Sequence, residues 1–264
     1  MRKYGQHFLV NKGIIDKITD AVIDNMEGAL VEIGPGKGAI TTALLERGVN
    51  NFTLIEIDPE MADYLKNNLP EYAEVEIKNN DFLKEDLSFL PEGPVTFVSN
   101  LPYIDAAEIL LKVLSAPGLH AAVFMFQREQ AQRLTAKPES KHYGPLSVLF
   151  QASASARSIC RVSPGSFNPP PKVDSEVLLI MPKGQIEFKS AKHKKDFTEL
   201  VKSVFAYRRK TVLNALCEVF KKDKDLLGAA LQKAGVKISA RAEELSPRKY
   251  ADLALALALD GIIF

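Results

Sequence analysis

Asn100, Leu101, Pro102 and Tyr103 gather an amide, backbone carbonyls and a phenol ring within four residues. They follow Pro94-Val95-Thr96-Phe97-Val98-Ser99, a short apolar, β-branched run that predicts a buried strand. Pro102 has no N–H for a sheet ladder, so the strand must end near Asn100. In an open α/β sheet, ligands bind outside the carboxyl ends of the strands. The chemistry suited to these groups is transfer to an amino group on a flat ring. An exocyclic amine of a nucleobase is a poor nucleophile because its lone pair is delocalised into the ring. The side-chain oxygen of Asn100 and the carbonyl of Leu101 can accept its two N–H bonds. That holds the amine toward a methyl donor and stabilises the positive charge developing on nitrogen. Tyr103 would stack on the base. Taken alone, the four residues read more readily as an ordinary turn after a strand, so the rest of the chain has to decide.

A donor site is legible further upstream. Residues 29–33 predict a strand, and Glu32-Ile33-Gly34-Pro35-Gly36-Lys37-Gly38 carries it through a glycine-rich turn into a helix. The spacing is GxGxG rather than GxGxxG, and an acid on the strand precedes it. Glu56 closes the next predicted strand, where a carboxylate can take both hydroxyls of a ribose. Asp81 closes the third, as an acceptor for an adenine amino group. Acids at successive strand ends fit a nucleoside cofactor without a pyrophosphate. S-adenosylmethionine fits best, since Asn100 ends the fourth strand beside it. NAD would use the same turn and acid but leaves residues 100–103 unexplained.

The elements that position these groups alternate. Helices are predicted over residues 11–25, 40–47, 59–68 and 106–114, and strands over 29–33, 51–57, 75–77, 95–99 and 121–126. This alternation predicts an α/β fold with a largely parallel sheet wound on both faces. Residues 147–159 and 173–181 read as two further strands, with a Pro- and Asn-rich loop over 164–172 between them. Pro182-Lys183-Gly184 then punctuates the chain. Helical patterns follow over 192–206, 209–219, 224–234 and 247–259, with Ser246 and Pro247 as N-cap and first residue of the last. Two domains are expected: 1–184, holding the sheet and an N-terminal segment that covers the cofactor, and a small basic α-helical domain over 185–264.

Composition narrows the function classes. The 264 residues are 46% hydrophobic with a net charge of +1, ordinary for a soluble globular protein. Cys160 and Cys217 form no CxxC and the four histidines show no ligand spacing, so neither a disulfide framework nor a metal site is supported. No apolar segment follows the basic start, and residues 251–264 are too short and too charged to span a bilayer. A cytoplasmic protein is expected. Residues 183–264 hold 17 Lys/Arg against 10 Asp/Glu, whereas residues 1–182 hold 17 against 23. A basic tail on a mildly acidic body suggests a polyanionic partner, although a solvated helical surface accounts for it as well. No dimerisation stripe is evident, and a monomer is expected.

With these motifs in place, the sequence resembles the rRNA adenine N6-dimethyltransferases of the bacterial KsgA type. The matching residues are Gln6-His7-Phe8-Leu9, 32–38, Glu56-Ile57-Asp58, Asp81-Phe82, 100–103, Gln127-Arg128-Glu129, 143–147, 167–175, 208–211 and 241–245. The resemblance implies a Rossmann-like S-adenosylmethionine-dependent methyltransferase sheet. It also implies an activity, the addition of two methyl groups to each of two adjacent adenines in the loop of the 3′-terminal helix of small-subunit rRNA, during ribosome biogenesis. Carried over, the cofactor would touch His7, Leu9, Gly34, Gly36, Glu56, Asp81 and Asn100. Tyr103 and Phe167 would sandwich a flipped-out adenine. Gln6 would close the N-terminal segment over the cofactor, though a capping role suits it equally. Arg208, Arg209 and Lys210, on a helix of the basic domain, would meet phosphates of the immature small subunit, as would Lys221, Lys222 and Lys224.

One stretch departs from the family. Where it usually has hydroxyl residues before a proline, this chain has Ile104-Asp105-Ala106-Ala107-Glu108. Asp105 is then expected to cap the next helix. Competing readings are an Erm-type methyltransferase of large-subunit rRNA, and an assembly-binding factor with little catalysis. The long basic tail favours the small-subunit reading. The retained acids and Asn100 speak against a binding factor.

Overall fold

A computed structural model describes residues 7–71, 73–183 and 186–262. The chain divides into two compact units: residues 1–131 with 155–182, and residues 132–154 with 183–264.

The first unit is built on a seven-stranded sheet. Five of its strands are β2 (Ala29–Ile33), β3 (Asn51–Glu56), β4 (Glu74–Asn79), β5 (Val95–Asn100) and β6 (Leu119–Gln127). These pair in parallel in the order β4-β3-β2-β5-β6. The chain runs outward through β2, β3 and β4, then crosses back to lay β5 on the other side of β2. The strand order therefore reverses between β2 and β5, and a crevice opens at their carboxyl ends. The sheet is completed by β9 (Ser175–Pro182), antiparallel to β6, and by β7 (Ala154–Val162) at the edge.

These strands are almost continuously apolar and buried, as expected where helices cover both faces. Leu30, Leu54, Val98 and Val123 are at most 1% exposed, and α1 (Lys12–Ile23) contributes Ile18 and Val22 to the same core. Between strands run α2 (Ala39–Glu46), α3 (Pro59–Asn68) and α4 (Ala106–Val113). The N-cap of α3 is Asp58, whose carboxylate accepts the Glu60 N–H, with Pro59 in the first turn. Asp105 occupies the N-cap position of α4 but makes no capping bond from its side chain. The capping role expected of it is corrected accordingly: its backbone (φ −100°, ψ 1°) is not the extended one of a capping residue.

The loop expected over 164–172 contains a short strand, β8 (Phe167–Asn168), antiparallel to β1 (Phe8–Leu9). Val10 and Asn11 also donate their N–H groups to the Ser166 carbonyl. This ribbon ties the chain's beginning to a segment more than 150 residues away.

The strand expected over 147–159 is two elements. A helix, α6 (Pro145–Gln151), precedes β7, and α5 (Arg128–Leu134) follows β6. Pro145 opens α6, and the Ser147 hydroxyl accepts the Gly144 N–H while donating to the Arg133 carbonyl. Val148 and Phe150 alternate as they would in a strand, but the local bonding makes the first turn helical.

The second unit holds α7 (Ala191–Ala206), α8 (Val212–Phe220), α9 (Lys224–Lys233) and α10 (Pro247–Leu259). The Ser246 hydroxyl accepts the Lys249 N–H as the N-cap of α10. Residues 132–154, expected with the sheet, belong to this unit because Tyr143 and Val148 complete its core. Tyr143 is fully buried with its hydroxyl donating to the Leu245 carbonyl at 2.9 Å, and Tyr250 does the same to Ala242. A buried phenol satisfied in this way adds apolar area without an unpaired polar group.

Candidate active site

The carboxyl ends of β2, β3 and β5 wall a cavity together with residues 7–10, the glycine turn 34–37 and residues 100–103. His7, Leu9, Gly34, Gly36, Glu56, Asn100, Leu101 and Tyr103 all line it. The structure thus brings together residues up to 96 positions apart in sequence, from His7 to Tyr103.

Asn100 ends β5 with its side-chain Nδ2 donating to the His7 carbonyl at 3.2 Å. A carboxamide whose N–H₂ is so engaged presents its Oδ1 as an acceptor. Ser99 beside it donates its hydroxyl to the Ile33 carbonyl at 2.6 Å, which locks β5 to β2 at the crevice. Pro102 ends the ladder, as the sequence implied. Tyr103 is half-buried, with its hydroxyl 3.1 Å from Ser175 Oγ and its ring centroid 5.8 Å from that of His7. Burial raises the phenol's pKa above its ordinary value, so it stays neutral. The His7 ring is itself held through Nδ1, 2.8 Å from the Pro169 carbonyl.

Glu56 is 2% exposed. Its Oε2 accepts the Gly36 N–H and its Oε1 the Asp58 N–H, both at 2.9 Å. A carboxylate has roughly four acceptor positions, which leaves capacity for hydroxyl donors from a ligand. Burial pushes its pKa up, against the downward pull of those backbone donors. Gly36 has φ +56°, and a Cβ there would lie 3.1 Å from Phe8 Cε1. The positive φ favours glycine here, and a Cβ would also crowd the Phe8 ring.

Phe8, Ile57 and Glu32, which lie within the motifs but had no role assigned from the sequence, also line the wall. Phe8 covers the glycine turn, with Lys37 Nζ 5.2 Å from its ring centroid. Ile57 is 42% exposed and follows Glu56 into the cavity as an apolar platform. Glu32 is buried on β2 and accepts the Thr41 hydroxyl at 2.7 Å. Burial pushes its pKa up to about 8, and the nearby Glu56 adds to this. The signal was position: Phe8 lies between His7 and Leu9, Ile57 follows Glu56, and Glu32 opens the run into the glycine turn.

Other expected residues lie elsewhere. Phe167 is 4% exposed and packs in the core with Leu9, Val162 and Val177. Strand alternation turns Phe167 inward and Asn168 outward. Phe167 is thus not among the residues lining the cavity, and the ring nearest Tyr103 there is His7. Asp81 follows β4 and is not among the lining residues; its Oδ1 accepts the Leu83 N–H at 2.9 Å and its Oδ2 lies 3.6 Å from Lys84 Nζ. Gln6 lies outside the described residues.

Arg208, Arg209 and Lys210 occupy the turn between α7 and α8 rather than a helix, because Thr211 caps α8 by accepting the Asn214 N–H. Arg208 Nε pairs with Glu243 at 3.2 Å and Lys210 with Glu218 at 2.6 Å. Lys210 and Lys221 pull the Glu218 carboxyl down to about 2. Arg209 is exposed and pairs with no acid among the described residues. No cluster of three metal-ligating side chains occurs among the described residues, and none of their helices is long and apolar enough to cross a membrane.

A mostly parallel sheet of this order, with an acid-bearing glycine turn at its reversal, is a Rossmann-like nucleotide-cofactor fold, and the similar proteins identify it as a methyltransferase. The ribosomal RNA adenine dimethylase family model matches residues 1–259. Ribosomal RNA small subunit methyltransferase A of Xanthomonas campestris is 38% identical over 255 residues, covering 96% of this chain and 94% of that protein. The same-named protein of Xylella fastidiosa is 36% identical over 259 residues, covering 97% and 95%. Among solved structures, a dimethyladenosine transferase from Plasmodium falciparum gives a TM-score of 0.80 at 28% identity, over 98% of this chain and 100% of that one. The 23S rRNA methyltransferase ErmE gives 0.70 at 26% identity, over 95% and 99%. This chain belongs to the ribosomal RNA adenine dimethylase family.

Proposed function

We propose that this protein transfers methyl groups from S-adenosylmethionine to N6 of two adjacent adenines in the loop of the 3′-terminal helix of small-subunit rRNA, dimethylating each. The observation that carries the chemistry is the amide of Asn100. With Nδ2 engaged by His7, its Oδ1 and the Leu101 carbonyl are the acceptors for the two N–H bonds of an adenine amine. These oxygens would stabilise the positive charge that develops on nitrogen as the N–C bond forms and the donor's C–S bond breaks to leave a neutral thioether, and the proton released from nitrogen would pass to water. Tyr103 offers a ring face to a base taken out of its stack. Its anchoring to Ser175 fixes the ring before the base arrives.

The residues present fit the cofactor. The ends of β5, β2, β3 and β4 follow one another along the sheet edge, so Asn100, Gly34, Glu56 and Asp81 lie in that order. Three strand spacings span about 14 Å, the reach of an extended nucleoside amino acid. Glu56 would hold the ribose hydroxyls, Ile57 would pack on the adenine and Asp81 would accept its amino group. S-adenosylmethionine supplies, when bound, a methyl group on an electrophilic sulfonium. His7 and Leu9, pinned by the β1–β8 ribbon, would close the opposite side.

Arg209, with its neighbours Arg208 and Lys210, would meet phosphates of the immature 30S subunit. We place the protein in the cytoplasm, acting as a monomer. The curated relatives named for the small subunit favour that substrate over the large-subunit RNA of ErmE. The deciding experiment incubates unmodified small and large subunits with labelled S-adenosylmethionine and maps the label by mass spectrometry. Label on two neighbouring adenines of small-subunit RNA is expected, and label confined to large-subunit RNA would overturn the assignment.

A further inference from the structure

The turn after β4 is shaped from two sides. Within it, the Asp81 N–H donates to Asn80 Oδ1, and the N–H groups of Lys84 and Glu85 return to the Asp81 carbonyl. From outside, Lys112 of α4 donates its ammonium to the carbonyls of Phe82 at 2.6 Å, Leu83 at 3.0 Å and Glu85. An ammonium has three N–H donors, and here all three go to the backbone of one turn. Its Nζ also lies 5.1 Å from the centroid of the Phe82 ring. That ring is buried and set edge-on to Phe97 of β5 at 6.4 Å.

A lysine in the last turn of a helix ordinarily offsets the helix's own carbonyls or faces solvent. None of the three acceptors of Lys112 belongs to α4. Three carbonyl oxygens converging on one point repel one another, so this conformation of residues 82–85 depends on a cation at its centre. Asp81 opens that turn, and its carboxylate is held within it, Oδ1 accepting the Leu83 N–H at 2.9 Å and Oδ2 facing Lys84 Nζ at 3.6 Å. Moreover α4 is the helix that leaves the Asn100–Tyr103 turn. One element thus departs from the amine site and returns an ammonium to the far end of the cofactor path.

We propose that Lys112 is a positioning residue that sets the Asp81 turn to select adenine in the cofactor. The inference rests on the assignment of Asp81 to the adenine amino group made above. A held carboxylate accepts from an amine and is repelled by the carbonyl oxygen that replaces it in a hypoxanthine ring. A carboxylate on a relaxed turn can move aside, and the distinction fades.

The test compares binding of S-adenosylhomocysteine and S-inosylhomocysteine to the full-length protein by calorimetry. The wild type should prefer the adenosine form about tenfold or more, the scale of a hydrogen bond to a charged group. Lys112→Met should bring the ratio close to one, mainly by weakening the adenosine form, and Lys112→Arg should restore part of it. A merely structural lysine would change the melting temperature and leave the ratio intact. If Lys112→Met does not fold, Lys112→Gln, which keeps two donors and loses the charge, carries the same comparison. A ratio that survives loss of Lys112 but collapses in Asp81→Asn overturns the role of Lys112 alone. A ratio that survives Asp81→Asn overturns the assignment of Asp81, and the inference with it.

Discussion

The Asn100 side chain donates to the main-chain carbonyl of His7 at 3.2 Å, joining the end of β5 to the segment that leads into β1. Because this bond engages one N–H of the amide, it turns Nδ2 toward His7 and leaves Oδ1 as the acceptor. The orientation of the Asn100 amide is therefore set by a residue 93 positions away.

On the proposed mechanism, Asn100→Ala removes an acceptor for the amine. Loss of one preorganised group of this kind costs about 10²–10³ in kcat. RNA affinity should stay nearly unchanged, which a filter-binding measurement beside single-turnover methylation would show. A comparable loss in both quantities would mean that Asn100 holds the RNA rather than the reacting amine.

Tyr103 separates ring from hydroxyl. Stacking on an aromatic side chain is worth roughly 1–3 kcal/mol per base, so Tyr103→Ala should lower kcat/KM about ten- to hundredfold. Tyr103→Phe keeps the ring and loses the bond to Ser175. A neutral hydrogen bond contributes about 1 kcal/mol, and this variant should fall no more than about fivefold. Equal losses in the two variants would refute stacking.

Glu32 should make the cofactor-free protein less stable as pH rises. Its folded pKa of about 8 lies above the ordinary 4.5. Between those values the folded chain holds a proton that the unfolded chain has released. Stability from this group is full below pH 4.5 and is lost as pH climbs toward 8. Glu32→Gln keeps an acceptor for Thr41 and does not titrate. Its melting temperature relative to wild type should rise from pH 5 to pH 8. A constant difference across that range would contradict the assignment.

Arg209 should matter more to RNA affinity than its neighbours. Arg208 and Lys210 must exchange Glu243 and Glu218 for a phosphate, while Arg209 has no such partner among the described residues. Arg209→Ala should weaken binding at low salt and reduce the slope of log K against log salt by about 1. Arg208→Ala should change the slope less. Titrations at several salt concentrations would show this, and identical slopes for both variants would count against it.

Much of the site could be read before any folding was considered. The ends of β2, β3 and β5 were visible because apolar runs and their Gly or Pro stops are local properties. The same locality placed Gly34, Glu56 and Asn100 at strand ends, and Ser246 at a helix start. What the local signal lacked was a partner. Val148 and Phe150 alternate like a strand, yet Pro145 and Ser147 start a helix. Residues 132–154 read as part of the sheet domain, yet Tyr143 fills the helical core.

The amino-acid order by itself determined which groups stand at the carboxyl edge of the sheet, since strand period and punctuation act over a few residues. Tertiary structure alone decided which way each of them faces. The reversal of strand order beside β2, the pairing of β1 with β8, the burial of Phe167 and the turn of the Asn100 amide toward His7 all depend on contacts between distant segments. Such contacts form only when the whole core closes, so no window of the sequence contains them.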